Sequence, residues 1–345
     1  MLNSLLSRFR KELGIDMGTA NTLIYVKGRG VVINEPSVVA VNTRTEQLLA
    51  VGAQAKDMLG KTPPHIVTTR PLSGGIISDF EIAEKMIHYF ITKIYEQGFN
   101  FFARPKVVVG TPLDTTEVER KAIHDAIKNA GASEVFLVEE PMASAIGSRM
   151  PVQEPVGNFI VEIGGGTCEI AIISLGGIVV WKSIKIAGDE LNRNIIQYAR
   201  DEFNLLLGER QAEEIKIRIG SAVELTEEMK YPMRGRDLLT GLPKEVIISD
   251  SQVREAMLKS LRTIVDNVKA TLEIAPPELV ADIHERGILL SGGGALLRGM
   301  DQLIARTTLI PVRIADDPLT AVVRGTGILL DEPELLAEIA VSHTQ

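Results

Sequence analysis

Apolar positions along this chain switch between a two-residue and a three-to-four-residue period, and the switches mark out short strands and amphipathic helices. The plainest case is Asn158 to Ser174, NFIVEIGGGTCEIAIIS, in which two apolar runs flank three consecutive glycines. The pattern predicts a strand, a tight turn and a second strand. Gly14 to Val26, GIDMGTANTLIYV, has the same layout, so that Asp16 aligns with Glu162, Gly18 with Gly164 and Asn21 with Thr167. A hairpin that occurs once in each half of the chain predicts two similar domains. A third glycine turn, Ser291 to Gly294, follows an apolar strand and is expected to lead into a helix.

Between these landmarks the pattern is that of an α/β chain. Gly30 to Val41 and Leu48 to Val51 read as strands, and AKDMLGKTPPH as a short helix closed by its two prolines, together a small insertion. Ile82 to Tyr95 carries Ile82, Met86, Ile87, Phe90, Ile91 and Ile94 on one helical face. Lys106 to Val109 is an apolar strand, and the next helix starts at Thr115 or Thr116, has Glu117 and Glu119 in its first turn and stops at Gly131. The strand Glu134 to Val138 then runs into Glu139-Glu140-Pro141, which opens another helix. Alternating strands and helices predict central sheets covered by helices.

In the second half, Gly176 to Ile186 extends the hairpin into a meander, and Leu191 to Glu202 is a long helix entered through Ala187-Gly188-Asp189-Glu190. Residues 208–222 form a helix with Ile215 and Ile219 inward. Residues 225–245 are polar and glycine-rich, a second small insertion ending in a strand at Glu245 to Ser249. Ser251 to Ile274 is a long amphipathic helix stopped by Pro276-Pro277, and Val312 to Ile314 and Pro318 to Leu330 read as a short strand and a last helix.

Composition narrows the function classes. The 345 residues are 45% hydrophobic, enough for sizeable cores, and the formal net charge of −8 gives no electrostatic case for nucleic acid. A single cysteine, Cys168, excludes an internal disulfide and a multi-thiolate metal site. No run of 18 apolar residues is long enough to span a membrane. The N-terminal MLNSLLSRFRK instead places Leu2, Leu5, Leu6 and Phe9 on one helical face ahead of Arg8, Arg10 and Lys11. Such a helix either packs on the body or lies in an anionic membrane surface. Phe101 and Phe102 sit between a glycine and a proline, either tucked into a core or exposed as a second anchor.

The candidate chemistry lies in the glycine turns. Without Cβ atoms several backbone N–H groups can converge on one anion, which suits a phosphate. Glu162 could hold a divalent cation that neutralises such an anion, and Thr167 adds a hydroxyl. Glu139 and Glu140 at a strand end either position a water or neutralise a helix N-terminus. Asp189 is either an N-cap or an acceptor for a ribose hydroxyl. Glu213 and Lys216 share a helix face at a spacing that commonly makes a surface ion pair.

Together IDMGTANT (15–22), NEPSVVAV (34–41), VERKAI (118–123), EEPMASAIG (139–147), IGGGTCE (163–169), GERQAEEIK (208–216), APPELVADI (275–283) and SGGGALLRGM (291–300) resemble the MreB family of bacterial actins. The resemblance runs in order from about residue 13 to about residue 330 and implies an actin-like, ribonuclease H-like two-domain ATPase fold with an interdomain nucleotide cleft and two small inserted subdomains. The implied domains are 12–150 with 315–345, carrying an insertion at about 33–70, and 151–314, carrying one at about 190–245, after a membrane-binding helix at 1–11. Asp16, Gly18, Thr19, Ala20 and Asn21 would form one ATP phosphate loop and Gly164, Gly165, Gly166 and Thr167 the other. Asp16 and Glu162 would lie near Mg²⁺, through water. Glu140 matches the water-positioning carboxylate, with Thr167 as its helper. Glu213 and Lys216 match residues flanking the adenine, Gly188 and Asp189 the ribose, and Gly292, Gly293 and Gly294 the other side of the nucleoside.

The resemblance further implies a slow ATPase, not a metabolic enzyme, binding ATP and ADP. It implies double antiparallel filaments on the inner face of the cytoplasmic membrane that organise cell-wall elongation and rod shape. The membrane contacts match Leu2, Leu5, Leu6, Phe9, Phe101 and Phe102, and the antiparallel filament contact matches the helix around Val118. Cell-elongation membrane proteins such as RodZ, MreC and MreD are the implied partners, alongside other copies of the chain. The family usually has aspartate at Glu162, whose extra methylene moves the carboxylate roughly 1.5 Å. Cys168 stands where threonine is usual, Leu72-Ser73-Gly74-Gly75 replaces a more charged stretch, and Asp189 to Arg193 is less acidic. A sugar or acetate kinase relative would use the same turns but needs an acceptor site, and a chaperone-type ATPase needs a substrate domain after residue 330.

Overall fold

A computed structural model describes residues 11–96 and 104–341. The chain divides into two compact units, one formed by 1–154, 175–177 and 320–345 and the other by 155–174 and 178–319. The first carries strands β1 Glu12–Met17, β2 Asn21–Val26, β3 Gly30–Pro36, β4 Val39–Asn42, β5 Leu48–Val51, β6 Ile66–Thr69, β7 Leu72–Ser73, β8 Ile76–Ile77, β9 Lys106–Thr111 and β10 Glu134–Glu139. Its main sheet runs β10-β9-β1-β2-β3, and β5-β4-β6 form a small separate sheet. β1 and β2 pair antiparallel through the first glycine turn, and β9 adds parallel to β1. The Phe80–Glu96 helix buries Met86, Ile87, Phe90, Ile91 and Ile94 against Ile15, Val107 and Val109 of this sheet.

Two helices of this unit approach at backbone distance. A side chain at Gly147 would strike Ala321 O, and one at Gly325 would strike Ala143 O, so Glu140–Gly147 and Ala321–Leu329 lie in direct contact along their small-residue faces. That contact fixes the first turn of the Glu140–Gly147 helix, and with it Glu140.

The second unit carries β11 Asn158–Ile163, β12 Cys168–Ser174, β13 Gly177–Ile184, β14 Leu205–Leu206, β15 Lys230–Asp237, β16 Pro243–Ser249, β17 Ile288–Ser291 and β18 Val312–Ile314. Its main sheet runs β13-β12-β11-β17-β18, and read from the other edge this is the order of the first unit's sheet. In both, three antiparallel strands joined by turns are extended by two parallel strands beside the first of them. The repeated hairpin of the sequence is therefore the centre of a repeated fold. Phe159, Val161, Ile163, Cys168, Ile170 and Leu290 point to one face and meet Leu191, Ile195, Met257 and Ile264 from the Gly188–Phe203 and Asp250–Glu273 helices.

Several elements differ from the sequence pattern. Pro276-Pro277 not only ends one helix but starts another, Pro277–Arg286, because proline at the first helical position has no N–H to lose. The polar stretch 225–245 contains a full strand, β15, in which only Met233 is fully buried, so its alternation carries no apolar signal. The third glycine turn leads into a 3₁₀ turn, Gly293–Leu296, and the α-helix begins only at Met300. The last predicted helix spans Ala321–Leu329 and is followed by Pro333–Ile339. The short helix after β5 is Ala53–Met58, ending well before the two prolines.

Candidate functional site

The second unit gathers its glycine turns at one end of β11. Gly164 N–H donates to Thr167 O at 2.9 Å, closing the β11–β12 turn. Gly188 N–H donates to Gly164 O at 3.1 Å and Asp189 N–H to Gly165 O at 2.8 Å, which ties the start of the Gly188–Phe203 helix to that turn. Asp189 is thus in the helix's first turn; the N-cap is Ala187, with no side-chain cap, so the N-cap reading of Asp189 is set aside. Lys216 Nζ donates to Gly188 O at 2.7 Å from the Glu209–Ile219 helix, which also carries half-buried Glu213.

Glycine is required here by contact. A Cβ on Gly188 would sit 3.3 Å from both Gly164 O and Lys216 Nζ. Gly292 has φ +78° and lies against Ile163 O, and Gly294 lies against the Ile163 side chain. The turns at 164–167 and 292–294 are therefore adjacent, with Gly188 and Lys216 beside them. Gly164, Gly165 and Gly166 are half-buried between buried Ile163 and Thr167. What the cluster presents is partly exposed backbone and one ammonium, a chemistry that suits an anion.

The acids stand at the strand ends. Glu162 is buried on β11 two residues before Gly164. Burial raises the Cys168 thiol, with the charges of Glu169 and Glu162 adding to the effect, so this cysteine is an inert core residue. In the first unit Asp16 is two residues before Gly18, and desolvation pushes its carboxyl up to about 7. Ser37 Oγ donates to Gly18 O at 2.6 Å and Ser37 N–H to Ala20 O at 3.0 Å, holding this turn open, and Gly75 N–H donates to buried Thr19 at 3.0 Å. Asn21 begins β2. A Cβ on Gly18 would lie 2.8 Å from Asn21 O, as one on Gly164 would lie 3.3 Å from Thr167 O, so the two turns match position by position.

Glu140 is buried as the first residue of its helix, and a side chain on Gly110 would press on its Cγ at 3.2 Å. Gly110 is a residue the sequence pattern did not single out; a glycine directly after three valines within one strand is the signal that could have found it. Glu139, one residue earlier, is raised by burial against the opposing charge of Arg120. The preceding helix, Glu117–Asn129, is capped by Thr116, not Thr115, through a capping box with Glu119, and it leaves Val118 79% exposed. Leu2, Leu5, Leu6, Phe9, Phe101 and Phe102 lie outside the described residues.

No group of three or more His, Cys, Asp or Glu among the described residues could hold a metal. A divalent cation here would be held largely by phosphate oxygens and water, with single carboxylates orienting the water, which is the usual manner of Mg²⁺. Each unit has one acid of this kind two residues before its glycine turn, Asp16 in the first and Glu162 in the second.

The model of the MreB/Mbl protein family matches residues 10–338. The chain belongs to this family. It is 45% identical over 334 residues to the cell shape-determining protein Mbl of Bacillus subtilis, covering 97% of this chain and 100% of that one. To the cell shape-determining protein MreB of Escherichia coli it is 47% identical over 335 residues, 96% of each. MreB5 of Spiroplasma citri, solved with ADP, superposes with a TM-score of 0.90 at 39% identity, covering 95% of this chain and 98% of that one. The same protein was also solved with AMPPNP. The MreB/Mbl chain described here has the actin-like fold.

Proposed function

We propose that this chain is an ATP-binding, filament-forming bacterial actin that assembles on the inner face of the cytoplasmic membrane and organises cell-wall elongation. The observation that carries the reading is the cluster of Gly164–Thr167, Gly188, Lys216 and Gly292–Gly294 around the end of β11. Its support is that a relative at 39% identity has been solved with ADP and with AMPPNP. In this reading the 164–167 and 18–21 turns take the phosphates, and Gly188, Asp189, Glu213, Lys216 and Gly292–Gly294 surround the nucleoside. Magnesium, when bound, neutralises phosphate charge; Asp16 and Glu162 orient its water. Glu140 positions the attacking water, with Thr167 as its helper, for a slow hydrolysis of ATP to ADP and phosphate that serves filament turnover.

Exposed Val118 belongs to the antiparallel contact between protofilaments, and the membrane is met through Leu2, Leu5, Leu6, Phe9, Phe101 and Phe102. RodZ, MreC and MreD are the expected membrane partners. The nucleotide part is tested by the affinity of native and Lys216→Ala chains for a fluorescent ATP. Loss of the ammonium and of its bond to Gly188 is expected to weaken binding roughly tenfold; equal affinity would remove Lys216 from the site. Deleting residues 2–11 is expected to release the protein from anionic liposomes without changing nucleotide affinity. Retention on the lipid would exclude that anchor.

A further inference from the structure

The sheet of the second unit carries a polar row that the nucleotide reading does not use. β11 and β12 place Glu169 directly opposite Glu162, and β17 places Ser291 beside Glu162 in parallel register. Residues opposed in this way share a face of the sheet. Ser183 Oγ of β13 donates to Glu169 Oε1 at 3.1 Å. Ser183, Glu169, Glu162 and Ser291 therefore cross four strands in one line, on the face away from Cys168, Ile170 and Leu290. Glu169 and Ser291 are 0% exposed and Glu162 8%. The neighbouring positions of that face, Ile160, Ala171 and Leu289, are apolar and fully buried.

A buried acid opposite another acid costs desolvation and repulsion that an apolar residue would not. The molecule contains its own comparison. In the matching hairpin of the first unit, the residue opposite Asp16 is Leu23, also buried. The hairpin folds with an apolar residue at that position, and the acid in the second unit calls for another reason.

We propose that Glu169 is a positioning residue, acting through Glu162, that makes the site select the magnesium complex of a nucleotide over the bare nucleotide. This rests on the nucleotide reading above. Glu169, bonded by Ser183 of the edge strand, sets a like charge beside Glu162 and so raises the demand of Glu162 for a cation. It also adds a second negative charge behind the phosphate position. A bare triphosphate beside Glu162 feels the field of both carboxylates unscreened, whereas a magnesium-bound one brings a cation that offsets it. Coulomb attraction and repulsion at this range, in a partly desolvated site, are large enough to set such a preference.

The test measures the affinity of the full-length chain for fluorescent ATP in excess Mg²⁺ and in excess EDTA, for native, Glu169→Gln, Glu169→Asp and Ser183→Ala chains. Glu169→Gln is expected to narrow the ratio of the two affinities roughly tenfold, chiefly by tightening the EDTA value. Glu169→Asp keeps the charge and is expected to restore most of the ratio, while Ser183→Ala narrows it partway. A merely structural Glu169 would change both affinities together and leave the ratio alone. An unchanged ratio in Glu169→Gln overturns the inference. If that variant does not fold, an unchanged ratio in Ser183→Ala does so. A native chain that binds no nucleotide even with Mg²⁺ overturns the parent reading, and this inference with it.

Discussion

Glu162 stands where the resemblance read from the sequence implies an aspartate, one methylene shorter. The extra length moves the carboxylate roughly 1.5 Å, and in the proposed function this shifts it relative to the water shell of the cation. Phosphate release by Glu162→Asp is therefore expected to exceed that of the native chain several-fold, and equal rates would show that the added length is absorbed. Asp16 makes a second prediction through pH. Its folded carboxyl is pushed up to about 7 while the unfolded one titrates near 4, so the folded state binds more protons between those values. Stability of the nucleotide-free protein is accordingly expected to fall as pH rises from about 4 to about 7. Asp16→Asn should flatten that decline in urea midpoints measured across the range, and parallel curves would show that Asp16 is not its source.

Residue types, more than residue positions, were readable before the fold was known. The glycines of 164–166 and 292–294 and the acids before two of the turns stand out in the pattern. Their convergence at the end of β11 depends on parallel pairing of β11 with β17, about 130 positions apart in the chain, which local periodicity cannot express. Gly110 and Gly188 owe their importance to what a Cβ would strike, a property of the packed state alone.

Elements show the same division. Strongly periodic helices such as Phe80–Glu96 and Asp250–Glu273 were legible because one face is apolar and the other charged. β15 was not, because it lies in a small three-stranded sheet and fully buries only Met233. The tightest element pair, Glu140–Gly147 against Ala321–Leu329, is held by glycine contacts to carbonyl oxygens. Gly325→Ala is expected to cost at least about 2 kcal/mol, since a methyl group has nowhere to go. Loss of the Glu140 position with it should show as slower phosphate release at temperatures where the variant is folded. By contrast, the Met300–Thr308 helix ends in Leu309 at φ 59°, a left-handed residue with its side chain 81% exposed. Leu309→Gly removes that strain and gives up little burial, so a gain of about 0.5–1 kcal/mol in unfolding free energy is expected. A loss would mean that the leucine is covered in the assembled protein.

For the whole molecule, two units with the same sheet order explain why the acid–glycine hairpin appears twice in the sequence. No helix among the described residues is long and apolar enough to cross a membrane, and in the proposed function attachment to lipid is made by short surface segments. Such segments bind weakly one at a time and firmly when many copies are joined, which links membrane binding to assembly. Val118 offers a way to separate the two. Charging this exposed position with Val118→Glu is expected to abolish paired filaments while ATP affinity is unchanged, because its side chain faces solvent on a helix of the first unit and takes no part in the glycine turns.

The central claim is that nucleotide drives this chain to assemble on lipid. Negative-stain electron microscopy of the purified full-length protein on anionic liposomes, with Mg-ATP and without nucleotide, tests it most directly. Paired filaments on the lipid only in Mg-ATP are the predicted result. Bare liposomes in both conditions, from protein shown separately to bind ATP, would contradict it.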